Sequence, residues 1–260
     1  GVVTLNGVTA KHLGGTDMNF VAHLNNWGTA TFNANNSTLE ATYITVRAFN
    51  SGPDMNNVKI ENSTLKGKYC FWVHNYNEAG DNTGHGGGTD ATLNVDICNG
   101  TNTFECTGKA PILYGFNEPL YFNAEGKLLA FSAADMAKFI GENSQRSEIA
   151  LANDIECNES FIIAKDFTLD LNGKTIAGTD EATGNFGLIT NRGNLTVKNG
   201  TMTLVATNDR DWNAYSSVIS NNPGGNLVVE DVTIEHFGGT DMAYGIDNLT
   251  NGKGTSAVAT

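Results

Sequence analysis

The chain has 260 residues, with 15 Lys plus Arg against 28 Asp plus Glu and a formal net charge of −13. Such an acidic surface repels phosphate backbones and anionic lipid, which argues against nucleic-acid and membrane-surface partners. Hydrophobic residues make up 40%, charged residues only 17%, and 30 are Gly, the balance of a packed, turn-rich β protein and not of a disordered one. The longest apolar stretches, such as Leu128 to Phe131, fall far short of the ~20 residues needed to span a bilayer, so no membrane insertion is expected.

The first patterned stretch is "VTLNGVTA" (3–10), and five more segments share its form: "FNANNSTL" (32–39), "VKIENSTL" (58–65), "LDLNGKTI" (169–176), "LTVKNGTM" (195–202) and "LVVEDVTI" (227–234). Each opens with an apolar, any, apolar alternation, the period-2 mark of a strand with one buried face. Asn, Asp or Gly follows, residues that tolerate the left-handed backbone of a sharp bend. In all six the seventh residue is threonine, namely Thr9, Thr38, Thr64, Thr175, Thr201 and Thr233. Each copy is therefore strand, corner, strand.

Consecutive copies start 29 and 26 residues apart in the first group, and 26 and 32 apart in the second. A hairpin returns after a few residues, whereas this spacing allows a full coil of short strands. An antiparallel sandwich also accommodates alternation and turns, but gives no reason for one corner to recur at coil length. The expected fold is all-β, a right-handed parallel β-helix whose inward Leu, Val and Ile stack from turn to turn and whose corner Asn side chains form ladders.

Directly after the first octapeptide comes "HLGGTDM" (12–18), and "HFGGTDM" (236–242) follows the last one. Octapeptide and heptapeptide both repeat at a separation of 224 residues, which points to duplication of a whole unit. His-x-Gly-Gly-Thr-Asp occurs a third time from His85 through Gly86, Gly87 and Gly88 to Thr89 and Asp90. Asp17, Asp90 and Asp241 are thus candidate ligands for Ca²⁺, the single cofactor these loops suggest. A glycine turn whose Thr and Asp satisfy backbone amides accounts for the same letters. The histidines have no metal-ligand spacing and read as packing groups.

Farther along, "CFWVHNYN" (70–77) alternates so that Phe71 and Val73 face one way and Trp72, His74 and Tyr76 the other, one side core and the other a candidate binding stripe. The four cysteines, Cys70, Cys98, Cys106 and Cys157, lack C-x-x-C spacing. Cys98 and Cys106 could close a short disulfide loop, or all four could be small buried hydrophobes.

"SAADMAKFIGEN" (132–143) breaks the β pattern. Ser132 is a candidate N-cap with Asp135 three residues on, and Met136, Phe139 and Ile140 recur at helical spacing, so a short capping α-helix is expected there. Such a helix would cover the open end of a coil. In the second group of turns, "NDRDW" (208–212) lies in a long loop followed by Tyr215. Asp209, Arg210, Asp211, Trp212 and Tyr215 combine carboxylates, a guanidinium and aromatic platforms, the chemistry of a carbohydrate contact, although an inserted loop folded on its own aromatics uses the same residues.

"LANDI", "FTLDLNGKTIAGT" and "GNLTVKNGTM" resemble the opening coils of pectate-lyase-like right-handed parallel β-helix repeat domains of large bacterial surface and adhesin-like proteins, over roughly residues 132–235. Over 1–116 only the octapeptide corners carry the likeness. The resemblance implies an extracellular or cell-surface location and a repeat architecture, and no particular activity.

These readings converge on an excerpt of a longer polypeptide. Residues 1–116 are expected to be the C-terminal part of one β-helical unit, 117–131 a junction, and 132–260 the capping helix and N-terminal part of the next. The expected role is a non-catalytic extracellular structural and adhesive segment of a tandem-repeat surface or filament protein, with a glycan or host-surface ligand and head-to-tail self-association as its partners. The competing reading is a polysaccharide-active lyase or glycoside hydrolase, or a carbohydrate-binding module. Catalysis would need a pair of carboxylates flanking a glycosidic bond or a basic residue over a uronate, and the chain has only four arginines, one of them inside an acidic group.

Overall fold

The computed structural model describes residues 1–15, 18–26, 29–50, 55–73, 92–115, 119–208, 214–239, 242–249 and 258–259. The chain divides into two compact units, Gly1–Leu128 and Leu129–Thr260. Each is a parallel β-helix, the architecture expected from the recurring corners.

Unit 1 is built turn by turn. The first turn is β1 (Val2–Asn6), β2 (Thr9–His12) and β3 (Phe20–Asn26); the second is β4 (Ala30–Asn35), β5 (Thr38–Ala41) and β6 (Ile44–Asn50). The third is β7 (Met55–Glu61), β8 (Thr64–Gly67) and β9 (Tyr69–Val73), and the fourth β10 (Thr92–Asp96), β11 (Thr103–Cys106) and β12 (Ile112–Tyr114). Corresponding strands of successive turns pair in parallel, giving sheets β1-β4-β7-β10, β2-β5-β8-β11 and β3-β6-β9-β12. A last strand, β13 (Leu120–Phe122), folds back antiparallel on β12.

Unit 2 opens with β14 (Leu129–Ala130) and α1 (Ala133–Ile140), followed by β15 (Glu148–Leu151), β16 (Ile155–Cys157) and β17 (Phe161–Ile163). Next come β18 (Phe167–Asp170), β19 (Thr175–Asp180) and β20 (Phe186–Asn191), then β21 (Asn194–Ala206) with β22 (Ser216–Asn221), and β23 (Asn226–Gly238) with β24 (Ala243–Asn248). The short β25 (Val258–Ala259) starts a further turn on β23.

The corners explain why the octapeptide recurs. Its fifth residue has positive φ in all six copies: Gly7 (64°), Asn36 (49°), Asn62 (48°), Gly173 (74°), Asn199 (62°) and Asp231 (53°). Only Gly, Asn and Asp enter this region at small cost, so the chain bends there and nowhere else in the motif. The seventh residues then fall in register, Thr9 on Thr38, Thr64 and Thr103 in unit 1, and Thr175 on Thr201 and Thr233 in unit 2.

Between corner and threonine, unit 1 has a ladder of its own. The Val8 amide donates to Ser37 Oγ (3.1 Å), the Ser37 amide to Ser63 Oγ (3.0 Å), and the Ser63 amide to Asn102 Oδ1 (3.0 Å). Each turn's buried amide is thus satisfied by a side chain of the next. Unit 2 has the expected asparagine ladder, buried at the strand ends, with Asn191 Nδ2 on Asn221 Oδ1 (2.7 Å) and Asn221 Nδ2 on Asn248 Oδ1 (2.9 Å).

Inward side chains stack in columns. Val46, Phe71, Ile112 and Phe122 form one in unit 1; Phe161, Ile189, Ile219 and Ile246 form one in unit 2. Each aliphatic side chain so buried contributes about 1.5–3 kcal/mol of transfer free energy.

The helix lies within its expected span. Ser132 Oγ accepts the Asp135 amide (3.1 Å) while Asp135 Oδ2 accepts the Phe131 amide (2.9 Å), a reciprocal cap that satisfies two otherwise orphan donors. Met136, Phe139 and Ile140 are buried. At the other end Lys165 Nζ donates to the carbonyls of Gly141 (3.2 Å) and Ser144 (2.8 Å), neutralising the negative end of the helix.

Candidate functional site

Asp209, Arg210, Asp211 and Trp212 lie outside the described residues, as do Asp17, Asp90 and Asp241. Tyr215 is described and half-buried. Its amide donates to Asn185 Oδ1 (3.1 Å), and its phenol oxygen accepts from Ser220 Oγ (3.3 Å). Among the described residues no group of three or more His, Cys, Asp or Glu is placed to hold a metal ion.

Next to Tyr215 sits a polar cluster that sequence reading missed. Ser216 Oγ donates to the buried Asp180 carboxylate (2.6 Å), and His236 Nε2 lies 3.0 Å from the same Oγ. Asp180 Oδ1 also accepts the Ala182 amide (2.9 Å). These are the residue types of an acyl-transfer triad in the wrong order. The Ser216 proton is committed to Asp180, so His236 must donate through Nε2 and cannot act as its general base. Ser216 is also buried, leaving a nucleophile no approach. The cluster joins three successive turns instead.

His236 opens the second heptapeptide, and the structure shows what that motif does. The Met242 carbonyl accepts the Ser216 amide (3.0 Å), and Gly238 has φ 74° and lies so close to the Ala206 carbonyl that a Cβ would collide with it. His, Gly and Met thereby seat one turn on the turn before it. In the first heptapeptide, Asn19, the residue after Met18, ties the loop to the following turn. Its Nδ2 donates to the Gly14 carbonyl (2.8 Å), and its Oδ1 accepts the Tyr43 amide (2.8 Å).

The stripe expected from "CFWVHNYN" is not exposed as far as it is described. Cys70, Phe71, Trp72 and Val73 are all buried, and Trp72 Nε1 donates to the Gly115 carbonyl (2.9 Å). Residues 74–77 lie outside the described residues. Trp72 shares its column with His23, Arg47 and Leu113. The Arg47 guanidinium packs against the rings of Phe20 (5.1 Å), Phe49 (4.9 Å) and Trp72 (5.1 Å), which replace lost hydration with cation–π attraction. Burial, and secondarily the Arg47 charge, hold the His23 pKa below its ordinary value.

More accessible is a group of half-buried tyrosines in unit 1. Tyr43 and Tyr69 meet edge to face at 5.9 Å, Lys68 Nζ lies over both rings (4.9 and 5.7 Å), and Lys109 Nζ over Tyr121 (4.9 Å). Burial first, and then its tyrosine neighbours, push the Tyr69 phenol up.

On the outward face of sheet β2-β5-β8-β11, Lys11, Glu40, Lys66 and Glu105 stand in one column, a ladder of alternating charge. Lys11 bonds Glu40 (2.7 Å) and Lys66 bonds Glu105 (2.8 Å). The Lys11 hydrogen bond is the main reason the Glu40 carboxyl titrates below its ordinary value. Unit 2 carries an open groove of about 550 Å³ on the corresponding face, where Glu156 and Glu181 flank the small side chains of Ala177, Thr179 and Thr203 beside Val205.

All four thiols are free, so Cys98 and Cys106 form no disulfide. Burial pushes Cys70 up to about 12 and Cys98 and Cys157 to about 11. At neutral pH these thiols are protonated and are neither nucleophiles nor metal ligands.

No family model, no curated protein and no solved structure matches the chain.

Proposed function

We propose that this chain is a non-catalytic structural and adhesive segment of a tandem array of β-helical units, displayed outside the cell on a bacterial surface or filament protein. One observation carries the reading: backbone conformation repeats at the same 224-residue interval as the letters. Gly7 and Asp231 have φ of 64° and 53°, Gly15 and Gly239 both 76°, and Met18 and Met242 58° and 57°. Positive φ is costly for methionine, so a matched pair signals a copied loop and not a chance heptapeptide. The following strands match too, since β1 receives β4 through Val2↔Thr31 and Val3↔Phe32, as β23 receives β25 through Asn226↔Val258 and Leu227↔Ala259. In this reading residues 1–116 end one unit and residues 132–260 begin the next.

A stack in which each turn rests on its neighbours is a stiff spacer whose length grows with unit number. Its partners in this proposal are a glycan or host-surface ligand at the longer loops and further copies at the open ends. The test is the intact mass of the parent polypeptide from its native source, with peptide coverage on both sides of this segment. A mass several times 27.6 kDa with peptides recurring every 224 residues is expected; a mass near 27.6 kDa would sink the array.

The groove beside Glu156 and Glu181 favours a second reading, a polysaccharide-binding or polysaccharide-cleaving face, because two carboxylates flanking small side chains suit a polyol chain. Calorimetric titration with neutral and acidic oligosaccharides tests it. Binding weakened by Glu156→Gln and Glu181→Gln is the expected result, and no heat with either class would eliminate it.

A further inference from the structure

Nine large hydrophobic side chains are strongly exposed among the described residues, and seven of them belong to two turns: Val2, Val3, Leu13 and Met18 on the first turn of unit 1, and Phe237, Met242 and Ile246 on the last turn of unit 2. Surface apolar residues gathered in this way mark a contact. Two are ends of core columns. Val3 stands in the column of Phe32 and Val58, which are 4% and 2% exposed, yet it is 53% exposed itself. Ile246 stands in the column of Ile189 and Ile219, both 0%, yet is 39% exposed. Both columns are cut where a further turn would cover them.

We propose that the first turn of unit 1 in one copy of this chain stacks on the last turn of unit 2 in a second copy, in the register set by the 224-residue repeat. The proposal rests on the tandem reading above. In the array these faces take neighbouring turns of the same polypeptide, while in the 260-residue chain each finds the other on a second copy. Because the two turns are copies, their corners coincide, with Gly7 over Asp231, Gly15 over Gly239 and Met18 over Met242. Strand spacing of about 4.8 Å then lets backbone amides and carbonyls pair along the whole turn.

Side chains in this register complement each other. Val3 meets Leu227, Thr9 meets Thr233 and Leu13 meets Phe237. The deciding position is Lys11, which meets Glu235. Lys11 heads the ladder that continues through Glu40, Lys66 and Glu105, and Glu235 occupies its place in unit 2. Stacking therefore extends the alternation by one acid, to Glu235, Lys11, Glu40, Lys66 and Glu105. The incoming β1 displaces only β25, which holds two positions of β23. The contact joins two different faces, so it is heterologous and can propagate beyond a dimer.

The test is sedimentation of the full chain over a range of concentrations, with circular dichroism to confirm folding. Association rising with concentration is expected. Lys11→Glu alone and Glu235→Lys alone should each weaken it on the order of fivefold, by placing like charges opposite, and the double reversal should restore it. A register check uses Thr9→Cys in one preparation and Thr233→Cys in another, both with Cys98→Ser. Facing strands bring such Cα atoms within disulfide range, so the mixture should oxidise to a cross-linked pair. A chain that stays monomeric at every concentration, or one that associates with neither rescue nor cross-link, overturns the proposal. Either result leaves the array itself to stand or fall on the parent mass.

Discussion

At the scale of single residues, conformational cost decides more than contact. Asn36 occupies a corner at φ 49° and is exposed, so its role is confined to the backbone. Asn36→Gly should leave stability within a few tenths of a kcal/mol, whereas Asn36→Ala should cost about 1–2 kcal/mol because a Cβ is disfavoured in the left-handed region. Chemical denaturation of the two variants checks this; equal stability would show that the corner does not depend on αL preference. The same logic explains why fourth and fifth residues of the octapeptide vary among Asn, Gly, Glu, Asp and Lys while the bend persists, since only the fifth carries the positive φ in every copy.

At the scale of elements, the helix at the start of unit 2 is held by its ends as much as by its buried face. Ser132 and Asp135 exchange hydrogen bonds at the N-terminus, and Lys165, reaching over from the segment between β17 and β18, closes the C-terminus. Ser132→Ala is expected to destabilise unit 2 by about 1 kcal/mol through one orphaned amide. Thermal unfolding followed at 222 nm measures it, and an unchanged melt would mean that packing of Met136, Phe139 and Ile140 suffices. Ser132, Asp135 and the apolar spacing were legible in sequence because capping and helical periodicity are local. The Lys165 closure was not, because it joins residues more than twenty positions apart.

At the scale of the whole molecule, each turn depends on the turns beside it and on little else. Protection against hydrogen exchange should therefore peak in the inner turns of each unit, at β5 and β8 and at β18 and β19, and fall toward β1 and β24. Peptide-resolved exchange mass spectrometry checks the gradient. Uniform protection from β1 to β12 would indicate a unit that opens all at once. The same nearest-neighbour rule lies behind the functional proposals, since a stack that is stable wherever it is extended serves as a spacer and presents a ready face at each open end.

Period-2 alternation, the left-handed corner and its return after a coil's length all sit within about thirty residues, so the sequence by itself determined the strands, the corners, the coil and the 224-residue duplication. Which side chains meet across turns was decided only by the tertiary structure. Asp180, Ser216 and His236 are separated by 36 and 20 residues. Arg47 and Trp72 share a column only because coils of unequal length bring them into register. Trp72 shows the difference most plainly: alternation put it opposite the core, but alternation says nothing of what covers a strand's second face, and here that face is buried as well. The physical reason is that a local pattern records the sign of a side chain's direction along its own strand, whereas burial and hydrogen bonding depend on the neighbouring turns that the stack sets against it.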